Sequence, residues 1–221
     1  MKRAIVLSVL AALIACPARA NDGVVSMGRL SDDAFYRMAS CGAAPKGDCL
    51  GPEVRWPGKT VTLALRPAHR RYPKDLAAQV SAEIDRAIAE INAAGAGITL
   101  RRDDGLRHAD ILVSLPALSE GEPTRNIPRM PDGQPIGVGF MWMWWNDRAE
   151  ITEASMLISE DIAPQDVASV VLEELFQCLG FLYDIENPYY EGRSILSQNS
   201  NATTTISGQD RMILRRLYPK S

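Results

Sequence analysis

The chain has 221 residues, 46% hydrophobic and 23% charged, a composition that excludes wholesale disorder and provides enough apolar chain for one real core. Lys and Arg number 24 against 27 Asp and Glu, a formal net charge of -3, and without residues 1–20 the balance is 21 to 27. A mildly acidic chain with no basic stripe repels phosphate backbones, so nucleic-acid binding is disfavoured.

The first residues read as an address. Lys2 and Arg3 form a positive start, 4–15 is apolar or small apart from Ser8, and Ala18-Arg19-Ala20 offers small residues where a signal peptidase cuts. That apolar run is too short to span a bilayer, so an exported protein beginning at Asn21 is expected. Leu13-Ile14-Ala15-Cys16 also resembles a bacterial lipobox, in which Cys16 would be acylated. The expected location is therefore the periplasm of a Gram-negative bacterium, either free or as a lipoprotein held at the membrane through Cys16. Cysteine usage agrees with an oxidising compartment. Cys41 and Cys49 flank a short Gly- and Pro-containing loop and are expected to pair, whereas Cys178 is expected to be an unpaired, partly buried helix residue.

Residues 21–57 have poor periodicity apart from a short predicted helix at 32–40, with Phe35 and Met38 as its apolar contacts. They read as a disulfide-stapled N-terminal extension packed on a main domain over 58–221. From Lys59 the pattern becomes regular. Val61, Leu63 and Leu65 alternate as in a half-buried strand, and Leu76, Val80, Ile84, Ile88 and Ile91 mark a long helix over 75–94. Gly95 and Gly97 stop that helix. Strands are predicted at 98–100 and 109–113, then a long, exposed, Pro-rich loop over 116–135. Two further strands, 136–145 and 150–158, join in a tight connection at Asn146-Asp147. A second long helix is predicted over 164–181 and a short final helix from Ser207 to about Tyr218. The order predicts an α/β or α+β fold with a mixed β-sheet.

Phe140, Met141, Trp142, Met143, Trp144 and Trp145 concentrate apolar area in one strand. Phe140, Trp142 and Trp144 share one face, and Met141, Met143 and Trp145 the other. One face must be core; the other is either buried by the N-terminal extension or left as a binding surface, where Trp142 and Trp144 would contact a partner or stack on a polysaccharide.

On the second long helix, Val171, Leu172, Leu175, Phe176 and Leu179 fall on one face and are predicted core. Glu173, Gln177 and Gly180 fall on the other, with Glu174 beside them. The run Glu173-Glu174-Leu175-Phe176-Gln177-Cys178-Leu179-Gly180 resembles the active-site helix of the metzincin zinc peptidases, His-Glu-x-x-His-x-x-Gly-x-x-His. The order of the preceding elements is similar too, including an Ala-Asp-Ile-Leu-Val strand resembling that of matrix metalloproteases. Ser194-Ile195-Leu196-Ser197 stands where the family has its Met-turn, and 207–218 is similar to its closing helix. The helix is closer still to that of an uncharacterised proteobacterial lipoprotein family of unknown function with the pattern Glu-Glu-Leu-x-Gln-x-Leu-Gly.

The comparison fails where zinc chemistry needs it most. A catalytic zinc site offers three protein ligands, commonly imidazoles. Here Glu173 stands at the first His position, Gln177 at the second and Tyr183 at the third, with Asp184 next to it, and Leu196 replaces the methionine. Only Glu174, which in the family would be the general base, and Gly180 match. The two histidines, His69 in a run with Arg66, Arg70 and Arg71, and His108, are expected at turns or in solvent. No cofactor is expected, and zinc least of all. Glu173, Gln177 and Asp184 are three oxygen-bearing side chains of a kind that suits Ca²⁺ or Mg²⁺ better. The resemblance thus implies a non-catalytic relative that binds a peptide, protein partner or envelope polymer in the former cleft. The alternative is a peptidase-like hydrolase using Glu174 with an atypical oxygen-ligand metal site.

Overall fold

The structure is a computed structural model that describes residues 23–105 and 108–220. The expected signal segment over 1–20, with Cys16, lies outside the described residues. In chain order the elements are β1 (Val24–Val25), α1 (Asp32–Cys41), β2 (Thr60–Leu65), α2 (Lys74–Ala93), β3 (Thr99–Arg102), β4 (Ile111–Ser114), β5 (Gly139–Trp145), β6 (Ile151–Ile158), α3 (Val167–Gln177), β7 (Ile185–Glu186) and α4 (Gly208–Leu217). A five-stranded mixed sheet runs β3-β2-β4-β6-β5, parallel except for β5, which is antiparallel to β6 and forms one edge. This is an α+β fold.

Strand alternation sorts side chains to the two faces of the sheet. Val61, Leu63, Leu100, Ile111, Val113, Met141, Met143, Ala154 and Met156 join the main core under α2 and α3. On the opposite face Ala64 and Leu112 form one small cluster, and Phe140, Trp142 and Leu157 another with Met130 and Ile136.

That second cluster decides what covers the aromatic strand. The 116–135 loop is exposed along much of its length, as expected, yet Met130 and Ile136 sit on the aromatic face, with Leu118 and Ile127 beside them. It folds on itself through Thr124, whose hydroxyl donates to the Pro131 carbonyl (2.7 Å) and whose N–H donates to the Gln134 carbonyl (2.8 Å). Arg129 pins it by donating to the Ala109 carbonyl (2.6 Å) and pairing with Glu153 (2.9 Å). The Arg129 carbonyl accepts the Trp144 indole N–H at 3.0 Å. Trp142 is 3% exposed. The aromatic face is covered by the loop, not by the N-terminal extension, which leaves Trp142 buried and Trp144 half-buried.

The N-terminal extension joins the same core. Phe35, Met38, Val54 and Trp56 are buried with residues of α3 and α4. Helix α1 begins at Ser31, whose hydroxyl accepts the Ala34 N–H, and ends at Gly42, whose φ of 73° lets the chain reverse. Cys41 and Cys49 form a disulfide. A pairing without a sequence signal, β1 with β7 in parallel, sets Val24 opposite Ile185.

Candidate functional site

Helix α3 buries Val171, Leu172, Leu175 and Phe176 completely, which turns its other side toward β5 and the segment after the helix. It ends at Gln177, earlier than the hydrophobic pattern predicts. Leu179 N–H donates to Phe176 and Gly180 N–H to Gln177, tightening the last turn, and Gly180 then takes a φ of 108°. The helix-end carbonyls are satisfied from far along the chain. The Trp56 indole N–H donates to the Cys178 carbonyl (2.9 Å), and the Tyr218 hydroxyl donates to that of Leu179 (2.7 Å). Cys178 is completely buried at this cap, and burial pushes its thiol well above the ordinary range. It is structural, not a nucleophile.

The chain then returns along the helix. The Asp184 carbonyl accepts the Val24 N–H at 2.8 Å, and Ile185 N–H donates to Leu196 at 2.7 Å, so β1 and the 194–198 turn hold Asp184 from both sides. Its carboxylate accepts the Gln177 amide N–H at 2.7 Å. The turn is anchored in its own right by Asp210 of α4, 1% exposed, which accepts the Ser194 hydroxyl (2.7 Å) and the Ile195 N–H (2.9 Å).

A cavity of about 310 Å³ results, lined by Glu173, Glu174, Gln177 and Asp184 with Gly139, Ser197 and others. Glu174 and Gln177 are each 9% exposed. Glu173 is half-buried, and its carboxyl is raised well above the usual range. Burial is the main cause, followed by the charges of Asp184 and Glu174 and a hydrogen bond with Asp184.

Glycine at 139 is what lets β5 come this close. A Cβ there would meet Glu174 Oε1 and Val170 Cγ1 at 2.5 Å. Thus Glu173, Glu174, Gln177 and Asp184 do come together. Gly180, Tyr183, Trp142 and Trp144 do not join them. Gly180 is pressed against the Val54 carbonyl, and the Tyr183 ring lies against Gly42 and Gly51 of the N-terminal extension. Trp142 and Trp144 face the opposite side of the sheet, as period-two alternation from Met141 requires. Sequence reasoning missed Gly139, Ser197 and Asp210 as site components. Ser197 lies in the predicted turn and Asp210 at the predicted helix start, but nothing local reveals that Asp210 anchors that turn through Ser194 and Ile195.

The donor set does not fit zinc. No imidazole is present, and the Gln177 amide is turned to donate to Asp184. Among the described residues, no group of three or more His, Cys, Asp or Glu side chains is arranged to hold a metal ion.

Residues 123–221 match the model of a family described as a protein of unknown function, DUF2927. The matched stretch starts within the 116–135 loop, runs from there through α4 and carries every side chain of the carboxyl cluster. No curated protein matches the chain.

Proposed function

We propose that this chain is an exported protein with a metzincin-like arrangement from which the zinc ligands have gone, and that its cleft binds an extended peptide carrying a cationic group. The observation that carries the reading is the outer edge of β5. Val138 accepts from Ser159 of the β6 side, so by antiparallel alternation Gly139, Met141 and Met143 direct their backbone groups away from β6. Among the described residues that edge pairs with no other strand, and Gly139 and Met141 line the acidic cavity. An extended peptide added to this edge gains main-chain hydrogen bonds and lays alternate side chains into the cavity. A Lys or Arg side chain there meets the Glu173–Asp184 pair. The antiparallel edge strand beside the helix is also the place where the metzincin comparison puts the strand along the cleft rim.

A polysaccharide ligand has less support, because the tryptophans that would stack on sugars are under the 116–135 loop. Export rests on the features of 1–20.

Fluorescence anisotropy with labelled octapeptides tests the reading. A Lys-bearing peptide should bind better than its Glu counterpart, and Asp184→Asn should weaken it by about tenfold or more. Methylating alternate peptide nitrogens should abolish binding. Equal binding of the methylated and unmethylated peptides, or no binding of any extended peptide, refutes strand addition.

A further inference from the structure

We infer a second, oppositely charged site: a pocket that binds a phosphate group at the carboxyl-terminal ends of β2 and β4. The chain leaves β2 at Arg66 and β4 at Leu115, and a cavity of about 320 Å³ opens between them and the 116–135 loop. Arg66, His69 and Arg71 enter from the β2 side, and Arg125 and Asn126 from the loop. The crevice beyond the carboxyl ends of parallel strands is where open sheets commonly place ligands.

Three features separate this pocket from an ordinary solvated surface. First, its charge is uncompensated. No Asp or Glu lines it, and among the described residues none of Arg66, Arg71 and Arg125 belongs to an ion pair, in a chain whose net charge is -3. Second, Ser114, the last residue of β4, lines the pocket at 7% exposure, and its hydroxyl has no hydrogen-bond partner among the described residues. A buried hydroxyl without a partner is costly, and a ligand oxygen would satisfy it. Third, the loop carrying Arg125 is fixed. Asn126 N–H donates to Asp132 at 2.8 Å, and Arg129, next along, is tied to Ala109 and Glu153. The β2 side is held as well, Arg66 N–H donating to Val113 and His69 N–H to Leu115, each at 2.9 Å, so the backbone that carries the exposed Arg66, Arg71 and Arg125 is built on both sides.

The chemistry selects among anions. One guanidinium fork satisfies a carboxylate, whereas a phosphate monoester brings about two negative charges and three equivalent oxygens. Three forks and a hydroxyl match the second. The site shares no residue with the carboxyl cavity, so it stands or falls independently of peptide binding there.

Titration calorimetry of the purified protein with inorganic phosphate, and with acetate for comparison, tests the assignment. Saturable binding of one phosphate is expected, with acetate at least about tenfold weaker. Arg71→Gln/Arg125→Gln should weaken phosphate about tenfold or more, and Ser114→Ala roughly threefold, with unchanged thermal unfolding as the control for fold. Co-sedimentation with phosphatidylcholine vesicles with and without phosphatidic acid then separates the sources. Binding to the phosphatidic acid vesicles identifies a lipid headgroup, and phosphate binding without vesicle binding identifies a soluble phosphorylated ligand. No saturable phosphate binding up to about 10 mM, or equal affinity in the double variant, overturns the assignment. Vesicle binding without phosphate binding overturns it as well.

Discussion

The buried carboxyl of Asp210 makes the stability of the site region depend on pH in a direction that can be worked out. Asp210 lies under the 194–197 turn, and burial raises its pKa from 3.8 to about 7, even though the bonds from Ser194 and Ile195 pull it down. Over that interval the folded protein holds a proton that the unfolded chain has already lost. Raising the pH therefore favours unfolding. The stabilising contribution is whole below about pH 4 and gone above about pH 7. Three pKa units correspond to about 4 kcal/mol in total, or about 1.4 kcal/mol for each pH unit crossed. Asp210→Asn keeps the size and most of the hydrogen bonding but cannot titrate. Its loss of one good acceptor costs about 1–2 kcal/mol at low pH. Urea unfolding of both proteins at several values between about pH 5 and pH 7 should show the stability difference shifting in the variant's favour by about 1.4 kcal/mol per unit as pH rises. Parallel stability curves would show that the Asp210 carboxyl titrates alike in the folded and unfolded states, and the burial argument would fail with them.

Two other substitutions probe the architecture of the cleft. Gly139→Ala puts a methyl group against Glu174 and Val170, and is expected to destabilise by about 1–3 kcal/mol and to weaken peptide binding, measured by thermal unfolding and anisotropy. A neutral result would mean that β5 and α3 are not in close contact there. Trp142→Ala empties the cluster under the 116–135 loop and should cost about 3–5 kcal/mol in denaturant unfolding. Peptide affinity, measured well below the variant's melting temperature, should stay the same. A large loss of affinity without loss of stability would return Trp142 to the binding surface.

Much of the architecture was legible because it is written in local periodicity. Leu76, Val80, Ile84 and Ile91 recur at helical spacing and are buried; Val61 and Leu63 alternate along β2 and are buried on one face. Cys41 and Cys49 are close in the chain, so their pairing needed little beyond proximity. The polar side of α3 was legible for the same reason, and with it Glu173, Glu174 and Gln177.

Tertiary structure decided the rest, wherever a residue's role depends on what arrives from elsewhere. Period two says that Trp142 and Trp144 share a face, but not that a Pro-rich loop folds back over it. Helical pattern continues past Gln177, yet the helix ends there because its carbonyls are met by Trp56 and Tyr218, more than a hundred residues and some forty residues away in the chain. Tyr183 and Asp184 are adjacent, and spacing alone cannot choose between them. The pairing of β1 with β7 turns the backbone so that Asp184 faces Gln177 and Tyr183 faces the N-terminal extension. The run Arg66, His69, Arg71 reads as an ordinary solvated turn until β4 delivers Ser114 and the loop delivers Arg125. Sequence alone specified which faces must be buried, because that follows from the geometry of a helix or strand. Which partners bury them, and which polar groups are left facing one another, depends on contacts between distant segments, and those exist only once the chain has packed.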